Sequence, residues 1–164
     1  MMRSAAVFLI LAPALLALDP YEPLRLYNGA WTSHDHNPKS GDSITHIVNT
    51  CGLVGRFFAC QQVVNGAAPT VMLYLPSGPP GHYYTQALSS ELQAYGRGEL
   101  QIDGNRWTYS GQGEENGKTI WHRTINVFSG GDRIHFEVAQ SSDNRTWDVT
   151  LSGDEVRGAA ADRE

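Results

Sequence analysis

After its first eighteen residues the chain has no long apolar run, and so no further segment able to cross a bilayer as a helix, which needs about 20 apolar residues. It has no basic cluster. Its 12 Lys and Arg stand against 17 Asp and Glu, for a net charge of −5. Neither nucleic acid nor an anionic membrane surface is therefore the expected partner. Nucleophile signatures are missing: there is no Gly-x-Ser-x-Gly elbow and no phosphate-cradling loop. Only two cysteines occur, with no second Cys/His pair at ligand spacing, which excludes a structural zinc site. No catalytic residue, metal or cofactor is assigned. No long amphipathic helix and no internal repeat interrupt the pattern described next.

What is present begins with an export signal. Arg3 supplies a positive start, the run from Ala5 to Leu18 is apolar apart from Pro13, and Asp19, Pro20 and Glu22 then switch the composition to polar. These zones read as a cleaved signal peptide over residues 1–17, the alternative being an uncleaved anchor. Ala17 suits the cut, although Leu15 is bulky two residues before it. No Cys follows the run, so a lipid anchor is not expected. The remainder suits one domain, placed at 18–152, with a flexible polar tail over 153–164. The expected compartment is the periplasm or the exterior. An even cysteine count there predicts a Cys51–Cys60 disulfide, against the alternative of two buried thiols.

The rest is a string of short strands separated by turn dipeptides. Asn65-Gly66, Asp103-Gly104, Asn116-Gly117 and Gly130-Gly131 carry residues that tolerate positive φ. Pro76–Gly81 and Ser89–Gln93 read as loops. Strands are predicted at 29–36, 43–51, 56–65, 70–76, 82–88, 95–102, 105–112, 118–128, 132–140 and 145–152, after one helical turn at Tyr21–Tyr27. Trp147, Val149 and Leu151 alternate with Thr146, Asp148 and Thr150, the period of a half-buried strand. Ten consecutive antiparallel strands have an edge problem that closure removes, so the predicted fold is all-β, a single up-and-down barrel. In the hairpin over 118–140, a two-residue Gly130-Gly131 turn sets Ile125 opposite Phe136, Val127 opposite Ile134 and Arg123 opposite Val138. Between Trp121 and Val138 the apolar residues then land on one face. His122, Thr124, Asn126, His135 and Glu137 fall on the other, with Phe128 as the exception.

Tyr27-Asn28-Gly29-Ala30-Trp31 places a Gly-x-Trp at the start of the first strand, which resembles the opening motif of lipocalins and the wider calycin group. The blocks Leu24–Gly29, Gly55–Gly66 and Asp132–Val138 resemble a family of bacterial secreted proteins with a lipocalin-like barrel. The resemblance implies a fold and a compartment and brings no established catalytic residues. It also implies that Trp31 closes one end of the barrel beneath an Arg or Lys from a late strand, for which Arg123 and Arg145 are the candidates. A haem-binding resemblance, to nitrobindin, rests on the Gly29/Trp31 pair alone and offers no assignable proximal His.

Arg123 lies on the predicted apolar face between Trp121 and Ile125, where an isolated charge costs several kcal/mol. Two readings stand: an anion anchor gripping a carboxylate inside the barrel, or the closing Arg stacked on Trp31. With Trp31, Trp107, Tyr109, Trp121 and Phe136 it forms the candidate ligand-binding set, although such aromatics also serve simply as core. His34-Asp35-His36 invites a metal reading, but both imidazoles point outward if Trp31 points in, leaving a solvated strand end. His122, His135 and Glu137 would make an acid–base face only if that face lined a cavity. Asn144-Arg145-Thr146 matches a glycosylation acceptor, which would be incidental in the bacterial setting that the signal and the resemblance imply. The leading expectation is a non-catalytic binder of a small, largely apolar or carboxylate-bearing molecule. An enzyme using the His122 face and a structural module of the cell envelope are the alternatives.

Overall fold

The structure, a computed structural model, describes residues 19–89 and 94–158. The expected signal segment, most of the Ser89–Gln93 loop and the last six residues lie outside the described residues. A short 3-10 turn, Pro23–Tyr27, opens with proline, whose fixed φ suits the first helical position. Ten strands follow: β1 (Gly29–Asn37), β2 (Gly41–Val54), β3 (Phe57–Val64), β4 (Thr70–Pro76), β5 (His82–Leu88), β6 (Ala94–Asp103), β7 (Arg106–Glu115), β8 (Lys118–Ser129), β9 (Arg133–Ser141) and β10 (Asp148–Arg157). Each pairs antiparallel with its chain neighbours and β1 pairs with β10, closing the barrel. The all-β barrel expected from the turn spacing is what forms.

The turns follow the backbone chemistry. Asn116 and Gly117 take φ of 52° and 74° and join β7 to β8 directly, the mirror-image turn that matches strand twist. Asp103 is paired with Arg106, so that turn is Gly104-Asn105, one residue later than predicted. Cys51 and Cys60 are directly opposed on β2 and β3 and form the disulfide.

Two expectations are corrected. Ser129 pairs with Arg133, so Gly130, Gly131 and Asp132 form a three-residue connection in place of a two-residue turn. One residue of slip inverts a strand's faces. Thr124, Asn126 and Phe128 therefore oppose Val138, Phe136 and Ile134, and Arg123, Ile125 and Val127 take the outer side. The cause is Phe128, the former exception. It is buried with its ring 4.6 Å from Trp107, and its backbone is held at both N–H and C=O by Asn105. Burying an aromatic ring there outweighs burying Val127. The second correction lies at the C-terminal end: residues 153–157 are not a tail but the last half of β10, pairing with β1 and β9. Gly153 is buried, and a Cβ there would come within 2.9 Å of the Phe136 ring.

The core fills the barrel end beside the 3-10 turn. Tyr21 and Leu24 plug it, with Tyr21 stacked on Phe58 at 5.6 Å and its hydroxyl donating to the Arg56 carbonyl at 2.9 Å. Trp31, Phe58, Tyr83, Leu100, Trp107, Phe128 and Ile134 complete the layer. Inward positions farther along the strands are increasingly polar, and there the barrel stops being solid.

Candidate functional site

Past the aromatic layer the inward side chains leave a cavity of about 320 Å³. The alternation of strand side chains brings Asn49 from β2, Cys60 and Gln62 from β3, and Thr70, Met72 and Tyr74 from β4 to its wall. Tyr109 from β7 and Thr124 and Asn126 from β8 complete it, and Tyr27 reaches in from the 3-10 turn. Tyr27 is placed by its own carbonyl, which accepts from the Trp31 indole at 3.0 Å. Its hydroxyl accepts from the Asn126 amide. The Tyr74 and Tyr109 hydroxyls lie 3.3 Å apart. Burial pushes Tyr27 and Tyr109 well above the ordinary tyrosine value and Tyr74 up to about 12. All three are neutral hydroxyls at physiological pH, hydrogen-bonding groups and not nucleophiles. The Gln62 amide donates to Asn49 Oδ1 at 3.2 Å, while Asn49 Nδ2 is buried with no partner. A buried donor left unmatched costs about 1–3 kcal/mol, so this corner favours an occupant with an acceptor.

Two carboxyls share the interior on adjacent strands. Asp35 accepts from the hydroxyls of Ser33 and Thr45, which satisfies its charge. Glu155, opposite Ser33, has a buried oxygen, Oε2, with no partner. Burial first, and the Asp35 charge second, push Glu155 up to about 7. Near neutrality it holds a proton about half the time.

The structure divides the candidate set read from the sequence. Trp31, Trp107 and Phe136 are core, at 2%, 1% and 7% exposure. Tyr109 alone of the six lines the cavity. Trp121 and Arg123 stand on the outer face, where Arg123 stacks on Trp147 at 4.1 Å. Arg123 therefore neither faces the interior nor clasps Trp31, and Arg145 is exposed. The residue over Trp31 is Arg157, 4.2 Å from the ring centre. Its guanidinium also donates to the carbonyls of Gly131, Asn28 and Leu26.

His122, His135 and Glu137 do not share a face. His135 and Glu137 are outward and exposed, with His135 bound to Asp154 at 2.9 Å, whereas His122 follows Thr124 and Asn126 on the opposite side of β8. His34 and His36 point to solvent and Asp35 inward, and among the described residues no three potential metal ligands group together. Sequence reasoning missed Asn49, Gln62, Thr70, Thr124 and Asn126, whose only signal was their spacing from the Cys51–Cys60 pair and from Phe128.

No protein-family model matches this chain, and no curated protein matches it. Among solved structures it is similar to the crystal structure of Rv2717c from M. tuberculosis, with 11% identity and a TM-score of 0.49, over 86% of this chain and 98% of that one.

Proposed function

We propose that this protein is an exported, non-catalytic carrier of a small molecule held in the barrel interior. The observation behind this reading is the cavity at the polar end, whose wall combines the apolar Cys60 and Met72 with tyrosine hydroxyls and the unmatched Asn49 amide. Binding sites of this kind are mostly apolar, with a few placed polar groups. About 320 Å³ lies at the small end of the roughly 300–1,000 Å³ range of ligand pockets. The ligand is accordingly compact, with an apolar body and an acceptor for Asn49. With Arg123 outside the barrel, no cation among the described residues of the cavity wall calls for a carboxylate.

Export is supported by the Arg3-led apolar segment and by the disulfide, which persists in oxidising compartments. Among the described residues no helix is long and apolar enough to cross a membrane. A lipocalin-like relationship is supported by Gly29, Trp31 and the late-strand Arg157 stacked on it.

The test is to purify the oxidised protein after exposure to cell extract, denature it and identify released small molecules by mass spectrometry. A molecule present in the wild type and absent from Thr124→Trp, which fills the cavity, is the expected result. Equal release from the two proteins would remove the interior from consideration.

A further inference from the structure

Arg123 occupies an unusual position for a cation. It is half-buried on the outer face of β8, its Nε is shielded from solvent, and it makes no hydrogen bond. The ion pairs among the described residues involve Arg25, His36 and His135, and none reaches it. What holds it is the Trp147 ring at 4.1 Å. That ring is presented by the β9–β10 connection, which is pinned by Asp143. The Asp143 carboxylate accepts from the Arg145 and Thr146 backbone N–H groups at 2.8 Å and from the Ser141 hydroxyl at 2.9 Å. The stacking partner is thus fixed in advance, and the planar donor fork of Arg123 is left unspent.

Around this fork lies a cleft of about 660 Å³, separate from the barrel interior. Tyr84, Trp121 and Trp147 provide ring surfaces, Arg97 a second guanidinium, and Glu99 the one carboxylate of the wall. In a chain of net charge −5 this is a local excess of positive charge. We propose that the cleft is a second binding site, for a small organic oxyanion carried on a flat ring. The oxyanion is taken by the Arg123 fork and the ring packs on the neighbouring aromatic surfaces. The buried Arg123 Nε has no acceptor and the terminal nitrogens of the fork make no hydrogen bond within the chain, and a carboxylate or phosphate ester supplies the missing acceptors. The site does not depend on the interior cavity, and either can exist without the other.

The indole N–H signals of the four tryptophans in ¹⁵N-labelled protein test it. Benzoate and phenyl phosphate represent the two oxyanion sources, and benzamide is the uncharged control. The expected result is a saturable shift of Trp121 and Trp147 with one or both anions, with Trp31 and Trp107 unmoved and benzamide at least ~10-fold weaker. The tighter anion identifies the source. Arg123→Gln should abolish the shift while leaving the Trp31 and Trp107 signals in place. If that variant loses its fold, Arg123→Lys keeps a charge without the fork and should bind at least ~5-fold more weakly. The proposal is overturned if neither anion shifts Trp147 saturably. It is equally overturned if benzamide matches the anions, or if the shift survives the loss of the guanidinium.

Discussion

The guanidinium of Arg157 lies over the indole of Trp31, 4.2 Å from its centre, while its nitrogens reach the carbonyls of Gly131, Asn28 and Leu26. One side chain at the end of β10 therefore ties together the β8–β9 connection, the 3-10 turn and the first strand. Cation–π contacts contribute about 0.5–2 kcal/mol, and hydrogen bonds to charged groups about 1.5–3 kcal/mol each when well shielded.

Replacing Arg157 should consequently be among the costliest changes near the chain ends. We expect Arg157→Ala to lower unfolding stability by about 2–4 kcal/mol in urea titrations, allowing for the exposure of these contacts. Arg157→Lys should retain part of this, because an ammonium cannot span three carbonyls with a planar fork. Arg145→Ala, at an exposed position without such contacts, should stay within about 0.5 kcal/mol of wild type.

The register of β8 makes an opposite pair of predictions for neighbouring residues. Phe128→Ser should cost about 3 kcal/mol or more, because it empties a site beside Trp107 and leaves a hydroxyl there. Val127→Ser, on the outer face, should cost no more than about 1 kcal/mol. Reversal of that order in chemical denaturation would restore the two-residue turn and its inverted faces.

Why that register was hard to read is instructive. Gly130-Gly131-Asp132 can serve as a two- or a three-residue connection, and β8 is apolar on both faces: Trp121, Ile125 and Val127 on one, Phe128 on the other. Local alternation cannot choose between them; contact with Trp107 and Asn105, distant in the chain, does. The barrel itself was legible because Asn and Gly at tight turns advertise positive φ and so mark strand ends independently of the core. The cavity was not, because Asn49, Gln62, Thr70 and Thr124 look alike whether a strand turns them to water or to a polar interior. Residues 153–157 were missed for a related reason: Asp154 and Glu155 made a strand resemble a solvated tail.

Glu155 gives the fold a dependence on acidity. An unfolded glutamate titrates near 4.5, and burial together with Asp35 pushes the folded one to about 7. Between those values the native state binds more protons than the unfolded chain, so stability falls as pH rises through the window and levels off above it. The total is about 3 kcal/mol from this group. Urea midpoints should decline from pH 4.5 to 7.5, and Glu155→Gln should flatten that decline.

The Cys51–Cys60 bridge closes a short loop, with the two cysteines nine residues apart. Loop-closure entropy for that length is about 2–3 kcal/mol. The Cys51→Ser, Cys60→Ser double variant, and the wild type under reductant, should both lose that amount in denaturant titrations. A reduced protein as stable as the oxidised one would show that the hairpin is fully ordered without the bond.

The pairing of β1 with β10 also has a bearing on timing. The seam of the barrel joins the first and last of the ten described strands, and β1 keeps an unpaired edge until Arg157 has been made. No fragment that stops short of β10 can complete the sheet, however long it waits. Until then the chain carries an open strand and a Trp31 not yet covered by Arg157, the state in which a chaperone would meet it.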